Sequence, residues 1–321
     1  MASTTCFKAV GSLVLAALSA AAVAQTYPIK PVRIVTGSAG GGTDTVVRQL
    51  APGMAGFLGQ SVIVDNRTSG PIQAQAITNA APDGYTTLVA GSTFLLFPLF
   101  QDAAYHPVND FTSITQIDDT PNVVAVSPSL PVNSIKELIA YAKARPGELN
   151  FGSAGIGGTG YVGTELLKAR TGTNIVFVSY KATAAAIIAL MTGEVHLHLN
   201  DLSVLAPHAR AGKVKLLAIT SPKRSPAEPD LPTVAESGLP GFDWSGITNL
   251  YAHKQTSPAI VTRLNDAALR YLRTPEAAQM ASKLQLALVG STPAEAQAKV
   301  KSVFETTEKL VREANLKPKA M

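Results

Sequence analysis

Two glycine-rich segments carry most of the chemistry available to this sequence. The first, Val35-Thr36-Gly37-Ser38-Ala39-Gly40-Gly41-Gly42-Thr43-Asp44, reads as a strand end turning into a helix start. Glycine admits positive φ and close approach of a ligand. The bare N–H groups and the dipole of a helix start favour a carboxylate or phosphate. Asp44 is placed to cap that helix. The second segment, Asn150-Phe151-Gly152-Ser153-Ala154-Gly155-Ile156-Gly157-Gly158-Thr159-Gly160-Tyr161, occupies the same structural place in the other half of the chain. Facing each other across a cleft, two such turns would grip one carboxylate from both sides. The first turn lacks the G-x-G-x-x-G register of a dinucleotide site, and no Gly-Lys-Ser/Thr follows to make a P-loop. Ser153 invites a hydrolase reading, but G-x-S-x-G fails because Phe151 stands where glycine is needed. His196 and His198 lie two apart in a strand and share a face. A metal pair would want a third ligand such as Asp201; the histidines read instead as a polar strand end, and neither metal nor cofactor is expected. Asp201 either holds a ligand's amino or hydroxyl group or caps the next helix.

The elements that position these turns alternate. Pro31–Val35, Ser61–Val64 and Thr86–Ala90 read as strands, with helices over Asp44–Phe57 and Ile72–Ala80 between them. Apolar runs without alternation suit strands covered on both faces, and this spacing suits βαβ units. The pattern restarts after Pro121, with strands at Asn122–Ser127, Leu149–Gly152, Ile175–Val178, Val195–Leu199 and Val214–Thr220. From Ser257 the chain is mainly helical, through Val261–Leu272, Pro275–Leu284 and Pro293–Ala314, with one short strand at Leu286–Val289. The predicted fold class is α/β with two lobes, each a mostly parallel sheet flanked by helices. The expected division is a signal peptide over 1–24, a first lobe over 25–121, a second over 122–221, and a return to the first over 222–321. The chain then crosses between lobes near Asp118–Pro121 and Thr220–Lys223, a clam-shell arrangement with the ligand between lobes.

Lys8 is the only charge before Gln25, and the uncharged run Ala9–Ala24 ends in Ala22-Val23-Ala24, a small-x-small cleavage pattern. That run falls short of the roughly 20 residues needed to span a bilayer. Cleavage after Ala24 removes Cys6, the one cysteine. An exported chain without disulfides suits the periplasm. Cleavage leaves 297 of the 321 residues and takes the formal charge from +5 to +4. The remaining basic residues are scattered and aromatics make up 6%. A nucleic-acid binder concentrates its basic residues in a patch or stripe, so nucleic acid is not an expected partner.

A family resemblance rests on many short stretches in fixed order. They include Tyr27–Val35, Gly40-Gly-Gly-Thr-Asp44, Val64-Asp-Asn-Arg67, Ala81-Pro-Asp-Gly-Tyr-Thr86, Asp110-Phe111 and Glu137–Lys143. They continue with Gly152-Ser-Ala-Gly155, Tyr180-Lys181, Ala211-Gly212-Lys213, Leu217-Ala218 and Leu231–Glu236. Over essentially its whole mature length the sequence resembles the Bug-type solute-binding receptors of tripartite tricarboxylate transporters. The resemblance implies two α/β lobes in a Venus-flytrap arrangement. It also implies capture of carboxylates by loop backbone and bridging waters, without a strong salt bridge. Departures cluster at the site. Thr36-Gly37-Ser38-Ala39 replaces the family's Pro-Phe-Pro-Pro, Thr68-Ser69-Gly70-Pro71 replaces a glycine-rich stretch, and Tyr161 stands where a His is common.

The expected site follows from both readings. Gly37, Ser38, Ala39, Gly40 and Gly41, with Ser153, Ala154 and Gly155, offer backbone N–H groups to one carboxylate. Ser69, Ser92, Thr93 and Asp201 tune the rest of the pocket, and Tyr161 presents an aromatic face. The expected function is a non-enzymatic, monomeric periplasmic receptor for a small organic anion, which it hands to permease subunits in the membrane. Two alternatives are an orphan receptor signalling to a membrane sensor and a secreted hydrolase centred on Ser153.

Overall fold

A computed structural model describes residues 27–40, 42–68, 70–154, 158–313 and 316. The expected signal peptide and the site candidates Gly41, Ser69 and Gly155 lie outside the described residues.

Strands β1 (Val32–Thr36), β2 (Val62–Asn66) and β3 (Thr86–Gly91) run parallel, and each leads into a helix: α1 (Gly42–Leu58), α2 (Gly70–Thr78) and α3 (Ser92–Phe100). In β1, four of five residues are buried, as an apolar run covered on both faces requires. The next strand, β4 (Phe111–Thr120), is separated from β5 (Asn122–Val126) only by Pro121, yet the two belong to different sheets. The second sheet is completed by β6 (Asn150–Ser153), β7 (Val176–Ser179), β8 (Leu197–Asp201) and β9 (Lys215–Ile219). Its helices are α4 (Ile135–Ala144), α5 (Thr159–Thr171), α6 (Thr183–Thr192) and α7 (Leu202–Arg210). The chain then returns through β10 (Gly246–His253), α8 (Pro258–Leu272), α9 (Pro275–Leu284), β11 (Ala287–Leu288) and α10 (Pro293–Glu313).

The strand orders are β11-β4-β10-β3-β1-β2 and β7-β6-β8-β5-β9. The two-lobed α/β class matches the expectation, but the sheets are mixed, not mostly parallel. β10 pairs antiparallel with both β3 and β4, and β5 pairs antiparallel with β8 and β9. These strands cross between lobes, so no βαβ unit sets their direction.

The return crossing falls later than Thr220–Lys223. Residues after β9 stay on the second sheet: Ile219 and Thr233 form a parallel bridge, and Val234 N–H donates to Ile219 O at 2.8 Å. Only at Trp244, whose N–H donates to Thr220 O at 2.9 Å, does the chain turn into β10. The two crossings lie side by side, since Thr220 N–H donates to Asn122 O at 2.9 Å.

One apolar cluster belongs to the first lobe (Val32, Ile34, Leu50, Met54, Ile117, Leu264) and one to the outer face of the second (Val123, Ile187, Leu190, Leu205, Ile219). A third runs through both lobes, joining Phe94 and Phe100 of α3 and Phe304 of α10 to Tyr161 of α5 and Phe151 of β6. Each fully buried side chain of this size contributes roughly 1.5–3 kcal/mol. This shared core ties α3 and α10 to α5 and β6 across the lobes.

Candidate functional site

A cavity of about 460 Å³ opens between the lobes. Its walls are set by helix starts. Gly42 and Thr43 open α1, Gly70 opens α2 and Ser92 and Thr93 open α3, all from the first lobe. Thr159 opens α5 and Ser203 lies in the first turn of α7, both from the second lobe. Five helix N-termini therefore meet one cavity. Each carries unsatisfied N–H groups and a partial positive charge near half an elementary unit. No Lys, Arg or His occurs among the described lining residues. The floor, where the chain crosses between lobes, is Asp118 and Thr120 of β4, Gly246, Ile247 and Thr248 of β10, and Asp201 at the end of β8.

Of the residues expected at the site, Gly37, Ser92, Thr93 and Asp201 line this cavity. Ser92 also ties α3 to β10, its Oγ accepting from Ile247 N–H at 3.0 Å. Ser38, Ala39 and Gly40 are exposed and stand outside the lining. Gly40 adopts φ 77°, which needs glycine, but its N–H is taken by Asp44 Oδ2 at 2.8 Å. Ala154 is exposed and Ser153 is buried at the end of β6, neither of them lining the cavity. Among the described residues, no hydrogen bond joins Ser153 Oγ to a histidine or carboxylate. Tyr161 departs most from expectation. It is 6% exposed and packs against Phe100, Phe151 and Phe177, with ring centroids 6.4, 6.1 and 4.8 Å away. Residues two apart on a helix point about 200° apart, so with Thr159 facing the cavity Tyr161 must face the core.

Asp44 sits within the first turn of α1, 1% exposed, and knots the glycine turn together. Its Oδ2 accepts from Gly40 N–H and from Arg48 Nε at 2.9 Å, and its Oδ1 accepts from Asn66 Nδ2 at 2.8 Å. Asn66 Nδ2 also reaches Gly37 O at 2.7 Å. Burial works to raise the Asp44 pKa, but hydrogen bonds from Arg48, Asn66 and Gly40 outweigh it and hold the carboxyl at about 2. Because the folded value lies below the ordinary one, this stabilisation is present above pH ~4 and is lost as pH falls through ~2. Asp44→Ala is expected to cost about 1–2 kcal/mol at neutral pH by removing a buried carboxylate's hydrogen bonds to Gly40, Arg48 and Asn66, read as a lowered urea midpoint. An unchanged midpoint would show that the knot does not hold the turn.

The histidine rings are tied into the second sheet. His198 Nδ1 lies 2.8 Å from Gly152 O and its Nε2 3.2 Å from Asn200 Nδ2, while His196 Nδ1 lies 2.8 Å from Asn150 Oδ1. Burial lowers both histidine pKa values. Among the described residues no three His, Cys, Asp or Glu are grouped as metal ligands.

Asp118, read from the sequence only as the start of a lobe crossing, also lines the cavity. It is fully buried, and burial pushes its carboxyl up to about 7, against hydrogen bonds with Thr120 and Thr248, with the charges of Asp119 and Asp201 adding to the rise. Burial likewise pushes Asp201 up to about 6. The available signal was Ile117-Asp118-Asp119-Thr120, paired acids following an apolar residue directly before the crossing proline.

Two α/β lobes joined by paired crossings, with helix starts from both aimed into the cleft, define a solute-binding protein of the clam-shell kind. Residues 46–316 match the model of the tripartite tricarboxylate transporter family receptor, and the chain belongs to that family of periplasmic solute-binding proteins. Protein BugT of Bordetella pertussis is 36% identical over 256 residues, 78% of each chain. An R. palustris protein with adipate has 32% identity and a TM-score of 0.76, covering 91% of this chain and all of that one. MatC from Rhodopseudomonas palustris with bound malate has 30% identity and a TM-score of 0.72, covering 89% of this chain and all of that one.

Proposed function

We propose that this protein is exported to the periplasm, captures a small carboxylate-bearing ligand between its lobes, and hands it to the permease subunits of a tripartite tricarboxylate-type transporter. The observation that carries this reading is the meeting of five helix N-termini, from both lobes, at a cavity whose described lining holds no cationic side chain. Such a wall favours an anion through N–H groups and dipoles. Hydroxyls of Thr43, Ser92, Thr93, Thr159 and Ser203 add donors. A grip made from both lobes is completed only on closure, which couples binding to a shape a membrane partner can recognise. Malate and adipate in the two solved relatives support the same ligand class.

The test is thermal unfolding against aliphatic, hydroxylated, amino and aromatic carboxylates. A ligand at about 100 times its Kd adds about 2.7 kcal/mol to stability, so at least one class should raise the midpoint by a few degrees. If none does, even after unfolding and refolding to remove any bound ligand, the carboxylate reading fails.

A further inference from the structure

The helix starts favour negative charge, while the floor of the same cavity presents two carboxylates. Asp118 reaches it from the first lobe, four residues before the crossing into β5, and Asp201 from the end of β8. Asp118 is 0% exposed. Its Oδ1 accepts from Thr120 Oγ1 at 3.2 Å, and Thr248 also hydrogen-bonds to this carboxyl. Its Oδ2 is buried without a hydrogen-bond partner among the described residues. Asp201 stands at the start of α7, but its side chain makes no capping bond there. Among the described residues no donor reaches its carboxyl group. An unpaired buried charge is costly and in folded proteins is normally matched by an opposite charge. Asp119, next in the chain, has its own partner in Gln116 Nε2 at 2.6 Å. The described cavity wall offers no cation to the fully buried Asp118 or to Asp201, which is partly buried.

We infer that the ligand brings that cation: beside its carboxylate it carries an ammonium group, seated between Asp118 of one lobe and Asp201 of the other. This rests on the carboxylate-receptor reading and narrows it to amino acids and related zwitterions. An ammonium has three donors and no acceptor, which suits the unpartnered carboxylate oxygens at the floor. The ligand's carboxylate then lies toward the helix starts. Placement between acids from different lobes also gives closure a physical cause. At pH values above about 7, where both acids of the empty cleft are ionised, they repel one another, and the ligand's positive charge turns that repulsion into an attraction bridging the lobes. A hydroxy acid or a plain diacid lacks the charge to do so.

The experiment is calorimetric binding at about pH 8 of matched sets: aspartate, malate and succinate; glutamate, 2-hydroxyglutarate and glutarate; leucine, 2-hydroxyisocaproate and 4-methylpentanoate. In at least one set the amino member is expected to bind about thirtyfold tighter than its partners, the low end of the loss on truncating one partner of a buried charge pair. Asp118→Asn and Asp201→Asn should each shrink that preference to about threefold or less while the protein stays folded by circular dichroism. If hydroxy or deaminated members bind as tightly as amino members, or if both variants keep the preference, the ammonium inference falls and the carboxylate receptor stands. The same holds if deaminated acids tighten about tenfold between pH ~8 and ~5.5, because the acids would then be acting as proton donors. If no member of any set binds, both readings fall together.

Discussion

Asp118→Asn is expected to make the empty protein more stable at pH 8, even though it removes a group at the centre of the cleft. In the folded, empty state the Asp118 carboxyl keeps its proton up to about pH 7, because it is fully buried and faces the charges of Asp119 and Asp201. In the unfolded chain it releases the proton near ~4. Between those values the folded state binds the extra proton, so the contribution of this residue rises as pH falls from 7 toward 4 and is lost as pH rises. At pH 8 the native state carries a buried, half-partnered anion. Each tenfold change in proton affinity corresponds to ~1.4 kcal/mol. Asparagine keeps the shape and acceptor but also needs partners for its amide, so the net gain is about 1–3 kcal/mol, or a rise of about 2–6 °C in midpoint. At pH 5 the gain should nearly vanish, since the native aspartic acid is already neutral there. Melting curves of wild type and variant at both pH values decide it. Equal shifts at the two pH values, or a loss at pH 8, would mean that Asp118 is matched in the empty protein. A binding site commonly holds such a cost in its empty form, because a group poised for a ligand has no partner until the ligand arrives.

How much of this was legible in the sequence depends on which force each residue answers to. The first glycine turn was legible because Gly40 needs positive φ, a local backbone demand visible in composition. The parallel strands were legible because β1 and β3 are apolar runs bounded by turn residues. Strands β4 and β10 were not. They read Phe-Thr-Ser-Ile-Thr-Gln-Ile-Asp-Asp-Thr and Gly-Ile-Thr-Asn-Leu-Tyr-Ala-His, yet seven of ten and seven of eight residues are buried. Their polar side chains find tertiary partners: Thr115 Oγ1 donates to Ser291 O at 2.8 Å, and Gln116 N–H donates to Ser291 Oγ at 3.0 Å. Such pairs join residues more than 170 apart in sequence, beyond the reach of any local pattern. The cleft floor lies on these two strands, so the same gap hid the place of Asp118 and Thr248 in it. Tyr161 was misplaced for a different reason. Two residues after Thr159 on α5, it takes the opposite face, which no family position specifies.

Of the second glycine turn, only Thr159 lines the cavity among the described residues, and part of the turn's glycine content serves packing. A Cβ placed on Gly160 would run into the backbone carbonyl of Leu199, and one on Gly163 would run into the Trp244 indole. These two positions, three apart, share one helix face and let α5 lie directly on β8. Leu199 cannot yield easily, because β8 is paired with β5 on one side and β6 on the other. In Gly160→Ala the helix start must therefore move instead. That start carries Thr159, which lines the cavity and whose carbonyl accepts from Trp244 Nε1 at 3.0 Å. Overpacking of this kind costs about 1–3 kcal/mol, so the melting midpoint should fall by several degrees. Affinity should fall at least about tenfold for whichever carboxylate raises the wild-type midpoint, since N–H donors act only within hydrogen-bond reach. Gly56→Ala is the control. It lies exposed within α1 with nothing within 4 Å of an added Cβ, and alanine there should add up to about 1 kcal/mol of helix stability. A Gly160→Ala protein that melts lower yet binds with unchanged affinity would remove α5 from the ligand grip and leave the anion to the first lobe and α7.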